Sequence, residues 1–119
     1  MRICFDLDET LCSGKPYDTA QPIIKNINLL KELKCEGHTI IIYTARGMGR
    51  TGSNSGKSVA LVGKLTFEQL EKWGVTYDEI HFGKPSADLY IDDKAINVID
   101  VSASSIREKL CQIKQTTIV

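Results

Sequence analysis

The chain has 119 residues, 42% of them hydrophobic and 25% charged, and its 15 basic residues balance its 15 acidic ones. That length suits one domain around one core and is too short for a catalytic domain plus a second folded lid. Zero net charge argues against a non-specific nucleic-acid binder, and the absence of a membrane-length apolar run or a basic-then-apolar leader sets the expectation of a soluble, cytoplasmic protein without a membrane partner.

Residues 2–7 read as a short strand with Ile3 and Phe5 inward, and the run ends in Asp6 and Asp8. Side chains at i and i+2 of an extended chain leave the same face. Two carboxylates side by side repel, and burying either is costly unless a cation lies between them. The pair is therefore a solvated strand end or half of a metal site. Residues 12–21 form a Gly/Lys/Pro/Asp loop, too short to build a cap.

Pro22 suits the first turn of a helix, and Ile23, Ile27, Leu30 and Leu33 make one apolar stripe along it, closed by Gly37. Residues 39–44, Thr-Ile-Ile-Ile-Tyr-Thr, hardly alternate, as expected of a strand buried on both faces. A Gly- and Ser-rich loop over 47–57 follows, long enough to suggest a functional role. The next helix is predicted over 59–73, with Leu61, Leu65, Leu70 and Trp73 inward and Gly74 after it. Two further strands are predicted, at 79–82 and at Leu89-Tyr90-Ile91, the second running into Asp92-Asp93. Residues 97–101 suit a short edge strand or a turn, 104–111 a last helix, and 115–119 a tail that frays or docks on a partner. Cys4, Cys12, Cys35 and Cys111 contain no CxxC, which points to buried or half-buried thiols rather than a disulfide or zinc framework.

Alternating strands and helices imply an α/β, three-layer Rossmann-like domain with a mainly parallel sheet and no cap. Sites in such sheets lie beyond the carboxyl ends of the strands. Those ends carry Asp6, Asp8 and Thr10, then Thr44 and Arg46, then Gly83-Lys84-Pro85, then Asp92 and Asp93. Four carboxylates at one edge repel strongly, and Mg²⁺ with one lysine would resolve this. Carboxylate, metal, hydroxyl and lysine together form a set suited to phosphoryl transfer.

Phe5-Asp6-Leu7-Asp8-Glu9-Thr10-Leu11 resembles the DxDx[TV] signature of the haloacid-dehalogenase-like (HAD) superfamily of phosphotransferases, and Thr44, Lys84 and Asp92-Asp93 follow in the matching order. Thr44-Ala45-Arg46, the Gly-Lys loop behind it, and the run from Tyr77 to Asp93 are also similar to small cap-less members associated with capsular polysaccharide biosynthesis. The resemblance implies Asp6 as nucleophile, Asp8 as acid and base, Thr44 and Lys84 as phosphate-holding groups, and Mg²⁺ on Asp6, Asp8 and one or both of Asp92 and Asp93. Arg46, Arg50 and Lys57 are candidate substrate contacts. The substrate so implied is a sugar phosphate or another small phosphorylated intermediate of surface polysaccharide synthesis. Without a cap, selection falls on the 47–57 loop, a homo-oligomer partner or the substrate's bulk.

Three other readings stand beside this one. Ser53-Asn54-Ser55-Gly56-Lys57-Ser58 looks like a P-loop ending, but the glycine required five residues before Gly56 is Thr51. A phospho-acceptor receiver domain places its Lys-Pro after the last strand, whereas Lys84-Pro85 precedes the run into Asp92. A catalytically inactive binding domain of the same fold is the third alternative.

Overall fold

A computed structural model describes residues 1–118; Val119, the end of the predicted tail, lies outside the described residues. The main sheet has three strands, β1 (Arg2–Asp6), β4 (Thr39–Thr44) and β5 (Glu79–Phe82), in the order β1-β4-β5. Both pairings are parallel, with Phe5 opposite Ile42 and Ile42 opposite Ile80. Between β1 and β4 come a two-residue pair, β2 (Cys12–Ser13) with β3 (Gln21–Pro22), and helix α1 (Ile24–Cys35). Helix α2 (Ser55–Lys72) joins β4 to β5, and α3 (Ala103–Ile118) closes the chain. The predicted α/β class, parallel sheet and absence of a cap all hold, as residues 12–22 contain only the small pair and a 3-10 turn at Tyr17–Thr19.

The hydrophobic effect assembles one core on one side of the sheet. Phe5, Ile40 and Ile42 meet Ile27, Leu30 and Leu33 of α1, Leu70 of α2 and Ile106 of α3. The first two of these sets were legible as a strand run and a helical stripe. The opposite face carries Arg2, Cys4, Tyr43 and His81 around a shallow open hollow of about 330 Å³. Ser102 and Ser105 cap α3 reciprocally: each hydroxyl accepts from the other's backbone N–H, at 2.9 and 3.0 Å. Arg107 ties α3 to Glu32 of α1 and to Glu36 just after it.

Three expectations need correcting. The inward face of α2 is Val62, Thr66, Gln69 and Leu70, while Leu61 is exposed. The helix is rotated so that two polar residues face inward, for a reason given below. Residues 89–91 form no strand, and Leu89, Tyr90 and Ile91 are 74%, 50% and 92% exposed. A parallel strand needs a crossover of roughly a dozen residues or more, and only residues 83–88 separate this run from β5. Of the cysteines only Cys12 is buried, and none is in a disulfide. Of the two forms expected for residues 97–101, an edge strand or a turn, the structure has the turn, a 3-10 turn at Val98–Asp100. Among the described residues no helix is long and apolar enough to cross a membrane.

Candidate active site

The carboxyl end of β1 turns sharply. The carbonyl of Leu7 accepts from the backbone N–H groups of Thr10, Leu11 and Cys12, and Glu9 takes a positive φ of 60° to allow it. Thr10 acts through its main chain here, its carbonyl accepting from the Asn26 side chain at 2.7 Å. This turn fixes Asp6 and Asp8 at the sheet edge.

Asp6 keeps a side chain 38% exposed, with Lys84 Nζ at 3.6 Å from its Oδ1. Burial pushes its carboxyl above the usual range; Lys84 opposes this and the charge of Asp8 adds to it. Lys84 is delivered by its own backbone, since its N–H donates to the Thr44 carbonyl at 3.1 Å. Just before it, Gly83 has φ 92°, and a Cβ there would lie 2.8 Å from Ser55 Cβ. Only glycine lets the end of β5 pass so close to the first turn of α2.

Asp8 is held by Arg46. The guanidinium donates from Nε to Oδ2 at 3.0 Å and to Oδ1 at 3.2 Å, and from Nη2 to Oδ1 at 3.0 Å. Cys12 Sγ also donates to Oδ1, at 3.5 Å. Arg46 itself is wholly buried. Its Nη1 donates to Thr66 Oγ1 at 3.2 Å and to Gln69 Oε1 at 2.6 Å, and the Tyr17 ring lies 4.8 Å from its Cζ. This is why α2 turns Thr66 and Gln69 inward. A buried guanidinium needs acceptors for its donors, and these two side chains supply them.

Arg46 and Thr44, expected to contact substrate directly, lie behind Asp8 and Lys84. Both residues are fully buried. Arg46 positions Asp8. Thr44 anchors two cationic residues, its hydroxyl accepting from the Arg46 backbone N–H at 3.1 Å and its carbonyl from that of Lys84. Arg50 and Lys57 are exposed, on the loop and in the first turn of α2. That loop is ordered by its own bonds: Asn54 caps α2 by accepting from Lys57 N–H at 2.9 Å, and Thr51 and Ser58 hydroxyls lie 3.0 Å apart.

Asp92 and Asp93 are exposed in the coil after residue 88. The Lys94 N–H and then Asp93 hold the Asp92 carboxyl below its usual range. Among the described residues no group of three or more His, Cys, Asp and Glu side chains gathers to hold a metal ion. The structure thus brings together Asp6, Asp8 and Lys84, with Thr44 and Arg46 behind them, and leaves Asp92 and Asp93 apart. The donors at the β1 end suit Mg²⁺: they are hard oxygens, and Asp6 and Asp8 form a carboxylate pair whose mutual repulsion a divalent cation would relieve. Gln69 and Thr66 were missed from the sequence; a polar pair three apart on a helix otherwise read as apolar was the available signal.

The fold matches the crystal structure of a target protein from Vibrio cholerae, with a TM-score of 0.82 and 31% identity over 93% of this chain and 97% of that one. The chain belongs to the same family as that protein. No family model matches the chain, and no curated protein matches it.

Proposed function

We propose that this chain is a Mg²⁺-dependent phosphatase of the HAD type, working in the cytoplasm on a small phosphorylated metabolite through an aspartyl-phosphate. The observation that carries this reading is the β1 end. A partly exposed Asp6 lies 3.6 Å from Lys84, beside an Asp8 whose aim is fixed by a buried Arg46.

The Asp6 carboxylate attacks phosphorus and forms the O–P bond as the ester P–O bond breaks. Asp8, carrying a proton taken up from solvent, gives it to the leaving oxygen, then regains one from the water that cleaves the acyl phosphate. Asp8 Oδ2 is the oxygen suited to this exchange. It accepts a single hydrogen bond, whereas Oδ1 accepts from Arg46 twice and from Cys12. Lys84 balances the charge of Asp6 and of the phosphoryl oxygens. When bound, Mg²⁺ would be held by the Asp6 carboxylate and the Asp8 main-chain carbonyl and would offset phosphoryl charge.

The resemblance to cap-less capsular polysaccharide phosphatases supports a sugar phosphate or related intermediate as substrate, with Arg50 and Lys57 available to an anionic group near the loop. A panel of sugar and nucleotide phosphates, assayed for phosphate release with and without Mg²⁺, tests this. Mg²⁺-dependent turnover of sugar phosphates is expected; no release from any ester would contradict the reading.

A further inference from the structure

The run Leu89-Tyr90-Ile91 is strand-forming in sequence yet stands in solvent, with Ile91 92% exposed. Three consecutive large apolar residues left in water are unusual in a folded chain. In the same molecule β1 pairs with β4 on one side and, among the described residues, has no strand on the other. A free edge and an unpaired strand-forming run are complementary, because each carries the backbone donors and acceptors the other lacks.

They cannot satisfy each other within one chain in the sense the site requires. For Asp92 and Asp93 to end at the same sheet edge as Asp6, the run must lie parallel to β1. It leaves the carboxyl end of β5, at the far side of the sheet, with six residues, 83–88, before Leu89. A parallel connection takes roughly a dozen or more. An antiparallel return would carry the two aspartates to the opposite end of the strands. Pairing on the outer edge of β5 instead would leave them about three strand spacings, roughly 14 Å, from β1.

We infer that residues 89–91 add as a parallel strand to the free edge of β1 in a second copy of this chain, bringing that copy's Asp92 and Asp93 beside Asp6. Two-fold symmetry makes the exchange reciprocal, so each site is completed by the other protomer. In the single chain the arm folds back instead: Tyr90 lies over Lys84, with Nζ 4.3 Å from the ring centre, and its hydroxyl donates to the Pro85 carbonyl. Exchange draws Tyr90 off Lys84, so pairing uncovers the cation that the proposed reaction uses. The parallel sense of the added strand and the role of Asp92 and Asp93 in the site rest on the phosphatase reading; that an exposed strand-forming run and a free strand edge are complementary does not.

Cys4 tests the exchange without reference to activity. It is exposed on β1, and neighbours on adjacent strands bring their Cβ atoms to about 4.5–5.5 Å, close to disulfide range. Tyr90→Cys and Ile91→Cys point to opposite faces of the added strand, so one of them meets Cys4 of the second copy. In a Cys35→Ser/Cys111→Ser background, mild copper–phenanthroline oxidation should give a reducible covalent dimer with one variant and not with the other. The activity arm mixes Asp6→Asn with Asp92→Asn/Asp93→Asn. Each alone is expected to be inactive, and random reassortment should restore about a quarter of wild-type turnover, since half the dimers carry one intact site of two. Failure of both cysteine variants to cross-link, in a protein of monomeric mass by light scattering, overturns the exchange. An active wild type with no restoration in the mixture overturns the shared site. Cross-linked dimers with no activity in any chain, wild type included, retire the phosphatase reading and leave the exchange standing.

Discussion

Arg46, which solvent does not reach, donates to both oxygens of Asp8, which solvent does reach. The pair converts a strand-end acid into one with a fixed direction. It also links the site to the core, because the same guanidinium is held by Thr66 and Gln69 from α2. Catalytic geometry and stability should therefore fall together when it is cut.

Replacing Arg46 by Ala leaves Asp8, Thr66 and Gln69 without their donor. Breaking a buried pair by removing one partner costs roughly 3 kcal/mol or more. Urea unfolding should show a loss of that order. Arg50→Ala, at an exposed residue on the neighbouring loop, should stay within about 0.5 kcal/mol of wild type. Equal small losses in both variants would contradict the anchoring role.

Gly83→Ala introduces a side chain at φ 92° and drives its Cβ to 2.8 Å from Ser55 Cβ. A destabilisation of about 1–3 kcal/mol is expected from the backbone strain, with the clash added to it. Ser55→Gly in the same chain should recover the steric part and not the conformational part. Thermal unfolding of the two variants separates them, and full recovery would mean that the backbone angle carries no cost.

Cys12 is a protected thiol. Burial and then the Asp8 carboxylate push it up to about 12, against Arg46, which lowers it. The thiolate is the reactive form. Iodoacetamide at neutral pH should modify Cys35 and Cys111, both exposed, and leave Cys12 unmodified until the chain unfolds. Peptide mapping reads this directly, and fast labelling of Cys12 in the native protein would contradict its placement behind Asp8.

Asp78, just before β5, links α1 to β4. Its carboxylate accepts from Lys34 Nζ of α1 at 2.7 Å and from the Ile40 N–H of β4 at 2.8 Å. Lys34 first and then Ile40 hold it below its ordinary value of 3.8. A depressed folded-state value means that the stabilisation is present above the unfolded value and is lost as pH falls through the folded one. Wild-type stability should drop below about pH 4, and Asp78→Asn should flatten that part of the profile. An unchanged acid limb in the variant would assign the drop elsewhere.

Much of the framework was legible because it follows from local pattern. The β-branched run at 39–44 became the central strand, and the stripe Ile27, Leu30, Leu33 became the buried face of α1. The face of α2 was misread by one residue because Thr66 and Gln69 are polar. Nothing local says that a buried arginine will claim them. The position of Arg46 after β4 was readable, but its burial depends on Tyr17, Cys12 and Asp8, which are distant in sequence. The run at 89–91 has the composition of a strand and lacks the connection that would let this chain use it as one. Composition reports what a segment can form, and topology decides whether it has a partner.

The most direct test of the central claim is mass analysis of acid-quenched protein during turnover, paired with phosphate release. The account predicts one phosphoryl group on the peptide containing Asp6 in the wild type. In Asp6→Asn it predicts no such adduct and no phosphate release, with the fold intact. Phosphate release by Asp6→Asn at the wild-type rate would contradict it.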